Sequence, residues 1–361
     1  MDFTSVTATP IVSVHGTDRR TPRAELARMS RALERYPEVA TDPLAAVTLL
    51  QGSVCSKLGK QATLFMPTGK MAQQIALRVH ADRRSGRRSF LAHQTNHLSE
   101  WEDENYAVLH DMHARLVGDR NELMTTVDLR AGLGEEAATV VWELPQRELG
   151  GELPSWTDLQ TQLSYAAAAG VATHLDGARV WQTTPFYARP LDEICAGFDS
   201  VYVSLYKDLE APRGAVLAGD ENFIAAARTW RHRLGGTVDE AWPLALLALD
   251  GMERASAAMP AYVAHAKTVA AAIMERTPAT IRPDPPHTAM FHLHLPIAPA
   301  AARYAQQQLI EDGHPRLGLR IRTSPNPVQC SIECSFGEAS LALDSTLIAD
   351  TVKKLIDLAR P

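Results

Sequence analysis

Short apolar runs alternate with longer amphipathic stretches along most of this chain, the pattern of an α/β domain built on a largely parallel sheet. Thr139-Val140-Val141-Trp142-Glu143-Leu144 is a run of buried-strand type. Ser155 caps a predicted helix from Trp156 to Ala169, Gly170 stops it, and Val171 to Leu175 forms the next strand. Ser200 to Leu205 is another strand, Gly214 to Ala218 returns, and Asp220 opens a further helix. Beyond about Ala241 the composition shifts toward alanine-rich helices. A strand at Met290 to Leu295, a helix through Ala300 to Glu311, a strand near Gln329 to Cys334 and a closing helix from about Ser340 to Ala359 follow. The pattern predicts a large domain over 1–240 and a small C-terminal α/β domain over 241–361, with no internal repeat or long low-complexity linker.

Two of these strands end on reactive side chains. Thr173-His174-Leu175-Asp176-Gly177-Ala178-Arg179 carries a carboxylate, and Ser204-Leu205-Tyr206-Lys207 carries an amine. In open α/β sheets ligands gather beyond the carboxyl ends of strands, where both groups are expected. An acid and a lysine so placed suit a cofactor with a basic ring nitrogen and an aldehyde, namely pyridoxal 5'-phosphate. Lys207 would form the Schiff base, Asp176 would keep the ring nitrogen protonated, and backbone amides would hold the phosphate. The phosphate candidate is Thr68-Gly69-Lys70, between an apolar run and a helical continuation, where free N–H groups and the helix dipole attract an anion.

The segments Phe65 to Leu77, His174 to Arg179 and Ser200 to Gly236 resemble the threonine aldolase and β-eliminating lyase family. His-x-Asp-Gly-Ala-Arg is the family's most specific motif, and the likeness runs from about Leu44 to Gly236. The resemblance implies fold type I of the pyridoxal phosphate enzymes: a large domain with a mostly parallel, seven-stranded type of sheet between helices, and a small C-terminal domain. It aligns His97 with a histidine that stacks on the cofactor ring and lies near the substrate's β-hydroxyl, with His93 as a rival. It implies that Arg179 binds the α-carboxylate of an amino acid substrate. It also implies a homodimer or homotetramer whose sites receive residues from the neighbouring subunit. The expected activity is cleavage of the Cα–Cβ bond of a β-hydroxy-α-amino acid to glycine and an aldehyde. β-Elimination to a keto acid and ammonia is the alternative, and a pyridoxal phosphate-binding protein with little catalysis a further one.

The chain also departs from that family, which marks a divergent branch. Glu143-Leu144-Pro145-Gln146-Arg147 stands where threonine aldolases have Glu-Asn-Thr-His, and Val14 to Arg20 lacks the family's N-terminal Arg-Ser-Asp-Thr. Asp208-Leu209-Glu210-Ala211-Pro212 replaces a Gly-Leu-Gly run after the lysine, and its two acids are expected to change which substrates enter. The family's C-terminal arginine is not recognisable, which leaves Arg320 or Arg322 as substitutes. A nucleotide-dependent dehydrogenase would share the alternating pattern, but there is no Gly-x-Gly-x-x-Gly turn after the first strand.

Composition narrows the picture only slightly. The 361 residues, 45% hydrophobic, suffice for a substantial core, and no stretch is apolar for long enough to span a bilayer. The N-terminus shows no export signal, so the cytoplasm is the expected location. A net charge of −6 argues against a nucleic-acid surface, and Arg83-Arg84-Ser85-Gly86-Arg87-Arg88 reads as a solvated loop. The four cysteines form no Cys-x-x-Cys pair; Cys330 and Cys334 would share a strand face and pack as small hydrophobes. His292 and His294 would share a polar outer face, and no metal site is expected.

Overall fold

The computed structural model describes residues 20–318 and 320–359, so the Val14 to Arg20 stretch lies outside the described residues except for Arg20. The chain divides into a compact unit spanning Arg19–Pro260 and another containing Ala261–Pro361. In the first, seven strands run in chain order: β1 (Ala62–Met66), β2 (Ser89–His93), β3 (His113–Val117), β4 (Ala137–Glu143), β5 (Ala172–Asp176), β6 (Ser200–Ser204) and β7 (Ala215–Gly219). They form one sheet in the order β1-β7-β6-β5-β4-β2-β3. β7 alone runs against its neighbours β1 and β6. This is the returning strand expected at Gly214 to Ala218.

The central strands β5, β6 and β7 are buried at every position, as strands covered on both faces must be. The helices α1 (Pro22–Arg35), α2 (Pro43–Leu58) and α3 (Gly69–Asp82) precede them, and α2 and α3 pack on the sheet. Ala72, Ile75, Ala76 and Val79 recur on α3 at helical spacing and pack with Leu64, Tyr202, Leu217 and Phe223 in one buried cluster. Burial of each large side chain there contributes about 1.5–3 kcal/mol. Ser155 caps the helix Trp156–Ala168 by accepting from the Asp158 amide, and Gly170 beyond it takes a positive φ of 67°.

One long helix, Trp242–Arg276, replaces the several alanine-rich helices expected after Ala241. It continues through Pro260, and the division between the two units falls inside it. The second unit holds a four-stranded antiparallel sheet in the order β10-β11-β9-β8, with β8 (Thr280–Arg282), β9 (Met290–Leu295), β10 (Ile321–Thr323) and β11 (Cys330–Ser335). Cys330 and Cys334 are buried there. The expected polar outer face applies to His294 only. His292 is buried, 3.4 Å from Arg322 and 4.0 Å from Glu333, its cross-strand neighbour on β11. Among the described residues no helix is long and apolar enough to cross a membrane.

The loop after β6, which carries Lys207, is fastened from two helices. Glu210 takes a left-handed φ of 55° and pairs with Arg20 at 2.5 Å and Arg254 at 3.3 Å. The buried Arg28 guanidinium on α1 donates to the Glu210 carbonyl at 2.7 Å, to Leu247 O at 3.1 Å and to Asp250 at 3.4 Å. Gly251 allows the Leu209 backbone to lie directly on the long helix, and a Cβ there would overlap the Leu209 carbonyl. Glu210 is therefore part of the scaffold, which leaves Asp208 as the one unfamiliar acid beside the lysine.

Two glycine substitutions check this account in opposite directions. Gly251→Ala is expected to lose about 1–3 kcal/mol in a denaturant melt, because the loop backbone must move. Gly52→Ala, on an exposed position of α2 with nothing within 4 Å, is expected to gain about 0.5–1 kcal/mol.

Candidate active site

The geometry starts from period and register. Alternation along β5 puts His174 and Asp176 on one face, and parallel pairing with β6 sets His174 beside Ser200 and Asp176 beside Tyr202. α3 crosses this face. Its residues Gly69, Gln73 and His80, at four- and seven-residue steps, meet Tyr202, Asp176 with His174, and Ser200 respectively. A Cβ at Gly69 would overlap the Tyr202 hydroxyl, so only glycine allows the start of α3 to come this close.

Asp176 is 3% exposed at the carboxyl end of β5. One carboxylate oxygen accepts from the Gln73 amide group and the other from the Ala178 N–H at 3.1 Å. Glu143 ends the neighbouring strand β4 at the matching register position. Its carboxylate accepts from the Arg147 N–H at 3.2 Å and the Gln146 amide group at 3.3 Å. Burial, then the Asp176 charge, pushes the Glu143 carboxyl up to about 7, while His97, the Arg147 N–H and Lys207 oppose the shift. Glu143 therefore exchanges a proton near neutrality.

Glu143, Asp176, Gln146, His93 and His97 line one cleft. His97 opens a short helix, His97–Trp101, capped by Asn96, and its Nδ1 lies 2.9 Å from the buried carboxylate of Glu102. The buried Glu102 carboxylate thus orients the imidazole through Nδ1. His93 is arranged differently. Its Nδ1 accepts from the Thr95 N–H at 3.2 Å and its Nε2 donates to the Asp119 carbonyl at 2.8 Å. Both nitrogens of His93 are thus engaged by the scaffold.

Lys207 is half-buried past the end of β6. Burial, then the Arg179 guanidinium, pushes its ammonium down to about 8, against the opposing charges of Asp176 and Glu143. Arg179 follows β5 closely, so the ends of β4, β5 and β6 bring Glu143, Asp176, Arg179 and Lys207 within electrostatic reach of one another. Asp208 is held by the Gln182 amide group at 2.7 Å, and burial raises its pKa while Arg179 and Lys207 oppose the rise. At the other anchor, Thr68 caps α3 by accepting from the Met71 N–H at 3.2 Å. The amides of Gly69 and Lys70 belong to the first turn, where no intrahelical acceptor exists. The Lys70 side chain is half exposed, with its ammonium 3.9 Å from Asp103.

Sequence reasoning missed Gln73, Glu102, Ser200 and His80. Two of them carried a signal: Gln73 and His80, seven residues apart, are polar positions on the same buried face of α3. Glu102, five residues after His97, is far less conspicuous among the acids of Glu100-Trp101-Glu102-Asp103-Glu104.

Comparison with known proteins gives the family. The profile of the family described as beta-eliminating lyase matches residues 25–296. An aldolase of Penicillium aethiopicum is 33% identical over 53% of this chain and 50% of its own length. A low-specificity L-threonine aldolase of Arabidopsis thaliana is 29% identical over 56% of this chain and 59% of its own. The match thus spans about half the length of these curated relatives. A solved structure from Listeria monocytogenes, provisionally named an L-allo-threonine aldolase, superposes with a TM-score of 0.87 at 30% identity, covering 97% of this chain and 96% of that one. One from Exiguobacterium, provisionally named an aromatic amino acid β-eliminating lyase/threonine aldolase, gives 0.86 at 30% identity, covering 96% of each. Serine palmitoyltransferase of Sphingomonas wittichii, at 14% identity and a TM-score of 0.69 over 96% of this chain and 86% of that one, shares the fold alone. With the profile covering most of its length and solved relatives superposing over nearly all of it, the chain belongs to the threonine aldolase and β-eliminating lyase family and has the α/β fold of type I pyridoxal phosphate enzymes.

Proposed function

We propose that this protein is a pyridoxal phosphate-dependent lyase that cleaves the Cα–Cβ bond of a β-hydroxy-α-amino acid to glycine and an aldehyde. One observation carries the reading. At the carboxyl ends of adjacent strands, a buried carboxylate set as an acceptor and a half-buried amine of lowered proton affinity lie within electrostatic reach, and a histidine oriented by a buried glutamate opens on the carboxylate's cleft. The residues present fit the cofactor. Asp176 keeps lone pairs for a ring N–H, and the start of α3, seated on Tyr202 through Gly69, offers first-turn amides to a phosphate. When bound, pyridoxal phosphate supplies an electron-withdrawing ring that accepts the electron pair of the breaking bond.

The chain's own groups do the rest in this reading. Lys207 supplies the amine that bonds the cofactor's aldehyde, and its lowered proton affinity keeps a usable neutral fraction near neutral pH. Thr68, Gly69 and Lys70 would hold the phosphate, and Asp176 would keep the proton on the ring nitrogen. His97 Nε2 takes the β-hydroxyl proton while Glu102 orients the ring through Nδ1. Arg179 would grip the α-carboxylate and so fix the orientation of the substrate. β-Elimination is the second reading, and Glu143 is the observation that favours it. A carboxyl group pushed up to about 7 in the cleft is a proton donor for a departing β-substituent.

The amine leads to a pH prediction. Since only the neutral amine attacks the aldehyde, the rate of cofactor capture by the cofactor-free protein should rise through about pH 8, followed by absorbance in a stopped-flow instrument. Glu143→Gln removes a negative charge that favours the ammonium, so this midpoint should move to lower pH; an unmoved midpoint would contradict the proximity of the two groups. Lys207→Ala should stay folded, lose the covalent cofactor link and lose turnover by about three orders of magnitude or more. Product analysis on a panel of β-hydroxy and β-substituted amino acids separates the two reactions. Glycine plus an aldehyde supports bond cleavage, ammonia plus a keto acid supports elimination, and neither product on any member of the panel would sink both.

A further inference from the structure

We infer that His80, Ser200, His174 and Gln73 form a one-way hydrogen-bond chain that holds Asp176 as an ionised acceptor and so positions it for a cofactor ring nitrogen. The link to a ring nitrogen rests on the cofactor reading above; the chain itself does not. Its members are all within 3% of full burial and join α3 to β5 and β6 without a break. Gln73 reaches Asp176 with Nε2 and His174 Nε2 with Oε1 at 2.7 Å. His174 Nδ1 lies 2.7 Å from Ser200 Oγ, which lies 2.7 Å from His80 Nε2. Among the described residues His80 Nδ1, the far end, has no hydrogen-bond partner.

Counting donors decides the direction. An ionised Asp176 only accepts, so the Gln73 amide group faces it and the Gln73 carbonyl faces His174. That carbonyl requires the His174 proton on Nε2. Burial pushes the His174 imidazolium down to about 3 and that of His80 well below its ordinary value, so each ring carries one proton. His174 Nδ1 is then bare and takes the Ser200 hydroxyl hydrogen, and Ser200 Oγ accepts from His80 Nε2–H. Every hydrogen points toward Asp176, and the chain ends on a bare acceptor at His80 Nδ1. The reverse polarity needs a proton on Asp176 and turns His80 Nδ1 into a buried N–H without an acceptor. Buried donors without an acceptor are rarer than buried acceptors without a donor. The terminus at His80 therefore disfavours the protonated carboxyl at the other end.

Nitrogen NMR of histidine-labelled, cofactor-free protein reads the chain directly. His174 and His80 are expected with protons on Nε2 and bare Nδ1; a proton on His174 Nδ1 would overturn the inference whatever ligand the protein binds. The link to Asp176 is read with pyridoxal phosphate labelled at its ring nitrogen. In the unaltered protein that nitrogen should be protonated. Gln73→Met and Ser200→Ala should shift its resonance toward the unprotonated form and weaken cofactor binding about tenfold in a fluorescence titration. A ring nitrogen equally protonated in both folded variants would overturn the positioning role. Failure of the unaltered protein to bind the cofactor would instead overturn the functional reading, and the tautomer result alone would then decide the chain.

Discussion

A carboxylate buried at the end of a strand needs donors, and much of the first unit is arranged around supplying them to Asp176. The strand itself gives only the Ala178 N–H. The second donor comes from Gln73, which is available because α3 lies across β5 and β6 closely enough for an amide side chain to touch both Asp176 and His174. That closeness depends on Gly69, where a Cβ would collide with Tyr202, and on the apolar face of α3 packed against β1, β6 and β7. One helix thus fixes the acid through its middle and presents its first-turn amides beside it.

The amine is positioned by a different set of contacts. Lys207 belongs to a loop held through Glu210, Leu209 and Arg28 to the long helix and to α1, with salt bridges and backbone contacts that face away from the chemistry. A loop so fastened keeps the ammonium near Arg179, and burial with that like charge lowers its proton affinity. Across the cleft, Glu143 and Asp176 sit at matched register on neighbouring parallel strands. Two carboxylates so close do not both ionise readily. Asp176 accepts from Gln73 and the Ala178 N–H, Glu143 from the Arg147 N–H and Gln146, and the Asp176 charge adds to burial in raising the Glu143 carboxyl.

Much of this was legible in the sequence. The strands carrying the acid and the lysine, the returning strand, and the caps at Ser155 and Asp220 follow from local periodicity and capping chemistry, which act over a few residues. Asp176 and Lys207 could be placed at strand ends for the same reason. The Asp208 and Glu210 pair could not be separated from sequence, because the arginines that hold Glu210 come from positions 20 and 254. His93 and His97 could not be separated by their neighbours either, since it is the fold that returns the Asp119 carbonyl to His93. His292 was misjudged as outward-facing because alternation gives a face and not its covering; Arg322 and Glu333 enclose it.

By itself, then, the chain determined its alternating elements, the order of its phosphate turn, acid and lysine, and its family likeness, all properties of short segments and of spacing. Only the tertiary structure decided which polar groups meet. The Gln73–Asp176 contact spans 103 residues and the His80–Ser200 contact 120. Contacts of that separation depend on how α3 is laid on the sheet, an outcome of apolar packing shared among many residues and written in no single motif.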